Sequence, residues 1–164
     1  MVKADKTTEI QEAMIKESRL SADKRKVLLN YELPTRLEEI EKLADAVSKA
    51  LPHSDLAFAA NLCLEELITN TILYGLKGAN DRFIHIQINL SNDWLEILLR
   101  DDAPRFDPFK EAHNPNLDLD INERPIGGLG IYLVKSMMDD VHADYDGTGN
   151  LIALYKALHP QTSP

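Results

Sequence analysis

The stretch that decides the fold is Pro125-Ile-Gly-Gly-Leu-Gly-Ile-Tyr-Leu-Val-Lys135, in which a glycine cluster runs into a helical pattern. The glycines Gly127, Gly128 and Gly130 allow another group to approach the backbone closely. The helix that begins near Leu129 adds N–H groups aligned at its N-terminus, which favour a bound phosphate. The pattern is neither a Gly-x-x-x-x-Gly-Lys loop nor a dinucleotide fingerprint after a strand, so tight packing would also explain it.

A second informative segment is Glu66-Leu-Ile-Thr-Asn70, which lies within a predicted helix. At about 100° per residue, Asn70 falls within an apolar stripe and Glu66 falls on its edge. A buried amide without a partner costs about 1–3 kcal/mol, so Asn70 requires either a backbone partner or a ligand. Glu65 points farther from Asn70, which favours Glu66 as the proton acceptor. Taken alone, this pair is better explained by a satisfied amide beside a solvated acid.

A third segment is Asp101-Asp102, directly after the apolar strand pattern of residues 95–99. A carboxylate that leaves a sheet at this point can face a cleft and accept a hydrogen bond from the amino group of adenine. The same acceptor would exclude guanine, which carries a carbonyl at the corresponding ring position. Taken alone, two acids after a strand also fit a polar turn.

The remaining pattern is typical of a single α/β domain. Alternating apolar residues predict strands near residues 27–33, 82–90, 94–100, 141–145 and 151–155. Helical spacing predicts helices within residues 7–20, 35–50, 54–74 and 129–138, with Thr35 capping the second and Ser54 or Asp55 capping the third. Consecutive hairpins and grouped helices predict a two-layer α/β sandwich, with a mixed, mainly antiparallel sheet and helices on one face.

Composition narrows the function further. The 164 residues are 44% hydrophobic, enough for one domain with a sizeable core. The formal charge of -9 opposes binding to nucleic acid through its phosphate backbone. A single cysteine, Cys63, excludes an internal disulfide, and the polar N-terminus predicts neither a signal peptide nor a membrane span. These features predict a cytoplasmic protein.

In chain order the three segments are Glu66-Leu-Ile-Thr-Asn70, Asp101-Asp-Ala-Pro-Arg-Phe-Asp-Pro108 and the glycine-containing stretch Pro125–Lys135. Together they resemble the GHKL ATPase superfamily over residues 27–157. The sequence most resembles the anti-sigma-factor serine/threonine kinases within it. This resemblance implies that Glu66 is the catalytic base, Asn70 the Mg²⁺ ligand and Asp101 the acid that reads adenine. It also implies that ATP contacts positions Ala103, Gly127, Gly128, Leu129 and Gly130.

The resemblance also implies partners and a domain layout. Residues 104–126 would form a lid over ATP, consistent with an unusually long, proline-containing connection. The phosphate acceptor would be a serine or threonine of an anti-anti-sigma protein, and the freed kinase would sequester a sigma factor. The resemblance also favours a homodimer. We divide the chain into a helical appendage at residues 1–25, a GHKL-like ATP-binding domain at 26–158 and a tail at 159–164.

Two departures from the superfamily pattern keep other functions open. Ala103 stands where many members have the glycine of an Asp-x-Gly motif, and Tyr74 stands where related kinases often carry histidine. One alternative is therefore a regulator that binds ATP and a partner without transferring phosphate. A second is a histidine-kinase catalytic domain, although the sequence shows no sensor, dimerisation hairpin or phospho-acceptor segment.

Overall fold

The sheet forms the centre of the molecule. The structure, a computed structural model, describes residues 6–111 and 129–158. Five strands in these ranges have the order β1-β2-β3-β5-β4, and every neighbouring pair is antiparallel. The strands are β1 (Lys26–Pro34), β2 (Phe83–Leu90), β3 (Trp94–Arg100), β4 (Asp140–Tyr145) and β5 (Asn150–Ala157). The predicted two-layer α/β sandwich is confirmed, although the described strands include no parallel pair and the sheet is not mixed.

Three helices cover one face of the sheet and enclose the main core. They are α2 (Ile40–Ala50), α3 (Ser54–Asn70) and α5 (Leu129–Met137). Alternate residues of the central strands point at them, as the two-residue period of a strand requires. The strands contribute Ile84, Ile86, Ile88, Leu95, Ile97 and Leu99, and α3 contributes Ala60, Cys63, Leu64, Leu67 and Ile68. A short helix, α4 (Pro108–Glu111), follows the end of β3.

Helix α3 is the longest element within the described ranges. With the π-helical turn Thr71–Gly75 that continues it, α3 is long and apolar enough to cross a membrane by length and composition. Half of this stretch is buried inside the domain, and the core helix of a globular protein passes the same test. We therefore assign α3 to the core.

The predicted helix caps are wrong. The hydroxyl of Thr35 donates to the carbonyl of Ala79, 2.7 Å away, so it joins the end of β1 to the segment before β2. A 3₁₀ turn then leads into α2 without a side-chain cap. Ser54 and Asp55 lie inside α3, whose N-cap residue His53 forms no side-chain cap either. Because the Thr35 hydroxyl is hydrogen-bonded to this distant segment, it does not cap the neighbouring helix.

The remaining helix, α1 (Lys6–Glu17), lies on the opposite face of the sheet. Its residue Met14 is fully buried against Leu98, Ala153 and Tyr155, and this cluster is separate from the main core. The predicted short helix is therefore present and packs on its own domain. It adds a partial third layer to the two-layer core.

A buried carboxylate anchors the end of this appendage. Glu96 of β3 has no exposed surface and accepts hydrogen bonds from the hydroxyl of Ser18 (2.6 Å) and the backbone N–H of Arg19 (3.0 Å). The side-chain amide of Asn89 donates a third bond at 2.8 Å. The Arg19 guanidinium also lies over the Tyr155 ring, 4.6 Å from its centroid. The three hydrogen bonds that the Glu96 carboxylate accepts compensate for its loss of contact with water.

The contact made by Met14 gives a test of this layer. Replacing Met14 by alanine should lower the free energy of unfolding by about 2 kcal/mol, because it removes the buried side chain of the cluster. Ile15 is the next residue and is 39% exposed, so Ile15→Ala should change stability by less than about 0.5 kcal/mol. Urea denaturation measures both. Equal effects of the two variants would contradict the docking of α1 on the sheet.

Candidate functional site

The candidate site is built where α3 meets the first turn of α5. A Cβ added to Gly130 would lie 2.6 Å from the carboxyl carbon of Glu66, closer than real side chains approach. Only glycine leaves room for the Glu66 carboxylate at this point. The packing of the two helices therefore brings together two of the predicted site residues.

The environment of Glu66 changes its acidity. Burial raises the pKa of this carboxyl above its ordinary value, and the negative charge of neighbouring Glu65 raises it further. A carboxylate with a raised pKa is a better proton acceptor near neutral pH. Glu66 can therefore act as a general base if a hydroxyl comes within reach.

Asn70 ends α3 one helical turn after Glu66, on the same side of the helix. It is half-buried, and the part of the chain that the structure describes gives its side-chain amide no hydrogen bond. The π-helical turn Thr71–Gly75 follows directly, and such turns occur often at functional sites. Tyr74 within that turn is 61% exposed. The amide of Asn70 is thus free to bind a ligand on the Glu66 side of α3.

Asp101 leaves the end of β3 as a buried carboxylate, 6% exposed. Its Oδ1 accepts from the backbone N–H of Ala103 and from the side-chain amide of Asn150, each at 2.9 Å. Burial raises the pKa of Asp101, while these two hydrogen bonds act in the opposite direction. The carboxylate is therefore held in a fixed orientation.

Ala103 does not disturb the backbone at the position where many superfamily members have glycine. Lys77 is the one residue other than glycine with a positive φ within the described ranges, so Ala103 has ordinary backbone angles. Its side chain is buried 3.3 Å from the place a Cβ on Gly75 would occupy. Because Gly75 ends the turn that follows Asn70, this contact links the Asp101 corner to the end of α3.

Asn150 is a site residue that sequence reasoning missed. The sequence pattern predicts strands at residues 141–145 and 151–155 with a turn at residues 146–149 between them, and it assigns no role to Asn150. In the structure β5 lies beside β3, and the backbones of Asn150 and Asp101 exchange two hydrogen bonds of 3.1 Å. The available signal was an amide at the start of a strand after a glycine-rich turn, but its partner became visible only with the strand order.

The structure describes only some of the other predicted site and lid residues. Leu129 begins α5, whereas Gly127 and Gly128 lie outside the described residues. Of the predicted lid, residues 104–111 are described, and there the Lys135 ammonium donates to the carbonyl of Phe109 at 2.9 Å. Within residues 6–111 and 129–158, no group of three His, Cys, Asp or Glu side chains is arranged to hold a metal ion.

A cavity of about 510 Å³ lies on the α1 face of the sheet. Its lining includes Asp101 together with Arg82 and Arg100, but neither Glu66 nor Asn70. The two arginines are already paired with carboxylates, Arg82 with Asp102 and Arg100 with Asp146. The cavity therefore does not assemble the predicted site residues.

Comparison with known proteins identifies the family. The sequence profile of the histidine kinase-like ATPase domain matches residues 32–156, which include Glu66, Asn70, Asp101, Gly130 and Asn150. The chain belongs to this family. The resemblance to GHKL ATPases stated from the motifs is thus confirmed, and α1 lies outside the matched range.

Named relatives of the family are similar in sequence. The serine-protein kinase RsbW of Listeria innocua is 27% identical over 125 residues, which cover 72% of this chain and 80% of the relative. RsbW of Bacillus licheniformis is 28% identical over 108 residues, covering 60% and 63%. A chain in the crystal structure of the SiaB–SiaC complex from Pseudomonas aeruginosa has a TM-score of 0.59 at 14% identity, covering 92% of this chain and 99% of that one. This structural neighbour supports the fold alone.

The contact between Gly130 and Glu66 can be tested by adding one methyl group. Gly130→Ala should keep the fold, because the carboxylate it meets is the end of a flexible side chain. The displaced Glu66 should become more exposed, so its pKa should fall toward the ordinary value. NMR titration of the side-chain carboxyl carbons measures this change. Ser136→Ala, on the exposed side of α5, should leave the titration unaltered, and an unchanged Glu66 pKa in Gly130→Ala would contradict the contact.

Proposed function

We propose that the chain is an ATP-dependent serine/threonine protein kinase of the anti-sigma-factor type. Its substrate would be a hydroxyl on an anti-anti-sigma partner, and the reaction would control the release of a sigma factor. One observation carries the proposal: the Glu66 carboxylate, whose pKa is raised, stands against the glycine that opens α5. The relatives RsbW are likewise named serine-protein kinases.

The side chains and backbone groups of the candidate site have the chemistry needed to bind ATP and Mg²⁺. Gly130 leaves space at a helix N-terminus, where N–H groups stabilise phosphate. Asn70 offers a neutral oxygen without a described protein partner, and Mg²⁺ commonly takes few protein ligands besides waters and phosphates. The Oδ2 atom of Asp101, which accepts no hydrogen bond from the described residues, suits the adenine amino group.

Each residue then has a distinct role in phosphoryl transfer. ATP supplies the γ-phosphoryl group, and Mg²⁺ neutralises the negative charge of its phosphates. Glu66 accepts the proton of the attacking hydroxyl, Asn70 holds the metal ion, and Asp101 orients the purine. Leu129 and Gly130 in the first turn of α5, with Gly127 and Gly128 before them in the sequence, would bind phosphate through their backbone N–H groups. Catalysis would rest mainly on positioning and electrostatics.

The proposal extends to the cellular setting. The formal charge of -9 argues against nucleic acid and favours protein partners with basic surfaces. Cys63 is buried and unpaired, and burial raises its pKa to about 11, as expected for an inert core thiol in a reducing compartment. We therefore propose a cytoplasmic homodimer that binds an anti-anti-sigma protein and a sigma factor, with residues 104–126 as its ATP lid.

A second candidate function is an ATP-dependent regulator without phosphate transfer. The exposed Tyr74, beside the end of α3, favours it, because related kinases often carry histidine at this position. The ordinary backbone of Ala103 removes the other reason to doubt turnover. The two candidates differ in whether Glu66 is needed for phosphate transfer or only for local packing.

Replacing Glu66 by glutamine separates the two candidates. Glu66→Gln should lower the rate of phosphate transfer from ATP to an anti-anti-sigma protein by about 100-fold or more, because a general base is lost. Glu65→Gln is the matched control, since Glu65 is the exposed neighbour on the same helix, and it should keep nearly full activity at neutral pH. Transfer of labelled phosphate in single turnover measures both.

Two results would contradict the kinase proposal. Equal transfer by the wild type and Glu66→Gln would exclude Glu66 as the base. Tight, ATP-dependent binding of the partner with no transfer by the wild type would favour the regulator instead.

The raised pKa of Glu66 also predicts the pH dependence of transfer. A base must be deprotonated, so the rate should fall as the pH decreases through the Glu66 pKa, above the ordinary range of glutamate. Because Glu65 raises that pKa by charge repulsion, Glu65→Gln should move the acidic limb of the profile to lower pH. Single-turnover rates across pH test this, and an acidic limb that stays in place would contradict the coupling.

A further inference from the structure

Asn150 uses both ends of its buried side-chain amide. It is 3% exposed, and its Nδ2 lies 2.9 Å from Oδ1 of Asp101, 3.3 Å from the carbonyl of Ala103 and 3.0 Å from the carbonyl of Pro104. Its Oδ1 accepts from the backbone N–H of Phe106 at 2.9 Å. The residue therefore fixes both the Asp101 carboxylate and the backbone that leaves it.

The same bonds make the two oxygens of Asp101 unequal. Oδ1 receives donors from Asn150 and Ala103, whereas Oδ2 receives none from the described residues. With Oδ1 occupied on both sides, a proton added to the carboxylate would reside on Oδ2. Oδ2 is therefore the oxygen that meets a ligand, and its protonation state decides whether it accepts or donates a hydrogen bond.

We propose that Asn150 is a positioning residue that keeps Asp101 oriented toward the purine as an acceptor only, and so sets the preference for ATP over GTP. This inference rests on the proposed function, in which Asp101 reads the adenine amino group. An ionised Oδ2 accepts from that amino group and repels the guanine carbonyl. A protonated Oδ2 would instead donate to the guanine carbonyl and lose the distinction.

Without the hydrogen bond from Asn150, the surroundings of Asp101 would favour its protonated form. Burial raises its pKa, so without compensation the carboxyl would carry a proton at a higher pH. The Asn150 amide is the largest influence in the opposite direction, followed by the N–H of Ala103 and the charge of Arg100. Asp102 acts with burial and raises the pKa.

The charged neighbours are themselves held in place. Arg100 pairs with Asp146 at 2.7 Å, and Arg82 pairs with Asp102 on the same side of the sheet. Neither arginine donates a hydrogen bond to Asp101, so Asn150 is the direct side-chain donor to this carboxylate among the described residues.

Backbone packing keeps Asn150 in position. A Cβ added to Gly149 would lie 2.9 Å from the carbonyl carbon of Asp101, so the start of β5 is pressed against the end of β3. The two strands also exchange backbone hydrogen bonds between Asn150 and Asp101. The backbone of Asn150 therefore cannot move away from Asp101 without a shift of the strand, and the side-chain hydrogen bonds hold the amide itself.

The experiment compares ATP and GTP binding by the full-length chain, with Mg²⁺, across pH 5–9 by calorimetry. Asn150→Asp keeps the side-chain shape but replaces the donor by a second carboxylate, which raises the Asp101 pKa. We expect ATP affinity at neutral pH to fall about 10-fold or more, and the ratio of ATP to GTP affinity to fall with it, as for loss of a charge-assisted hydrogen bond. The ratio should also begin to decline at a higher pH than in the wild type.

Controls separate this inference from the proposed function. Asn92→Asp makes the same chemical change in an exposed turn and should behave as the wild type. Asp101→Asn should reduce the preference for ATP, which tests the role of Asp101 itself. If Asp101→Asn alters the preference but a folded Asn150→Asp keeps both the wild-type ratio and its pH profile, the inference is overturned and the proposed function stands. A wild type that does not bind ATP overturns both.

The pH profile of the wild type tests the inference even if the Asn150→Asp variant does not fold. The inference requires the ratio of ATP to GTP affinity to decline toward acidic pH as Asp101 takes up a proton. A wild-type ratio that stays constant down to the lowest pH at which the chain remains folded by circular dichroism overturns it.

Discussion

The close approach of α3 and α5 at Glu66 and Gly130 is the contact on which the candidate site depends. A glycine at the first turn of α5 lets a carboxylate from a core helix reach the helix N-terminus, and any larger residue would displace it. The same approach buries the carboxylate enough to raise its pKa. One packing constraint therefore determines both where the acid lies and how readily it accepts a proton.

A second constraint fixes the position of Asp101 in the candidate site. The antiparallel pairing of β3 with β5 places Asn150 beside Asp101, and the paired backbones leave no space for a side chain at Gly149. Ala103 then packs against Gly75 at the end of the helix that carries Asn70. The helical layer and the sheet are thereby joined through the residues proposed to bind the nucleotide.

Local patterns predicted the elements well, and non-local contacts account for what they missed. Strand alternation and helical spacing are properties of neighbouring residues, so both hairpins and the core helices were found from the sequence. The cap assigned to Thr35 failed because its hydroxyl is used by Ala79, a residue far along the chain. Asn150 was missed for the same reason, since its partner Asp101 is brought beside it only by the strand order. The membership of Glu66, Asn70 and Asp101 in one site came from a family resemblance, because no spacing rule connects them.

The anchoring of α1 affects how the domain can vary. The helix lies outside the range shared with the family and is attached by one buried methionine cluster and the bonds to Glu96. The sheet surface beneath it combines polar side chains such as Gln87 and Asn89 with the apolar side chains of Leu98, Ala153 and Tyr155. A chain without α1 would therefore expose an apolar patch on this face, which favours association with other molecules. Loss of the helix would leave the main core intact but would require polar replacements at these apolar positions.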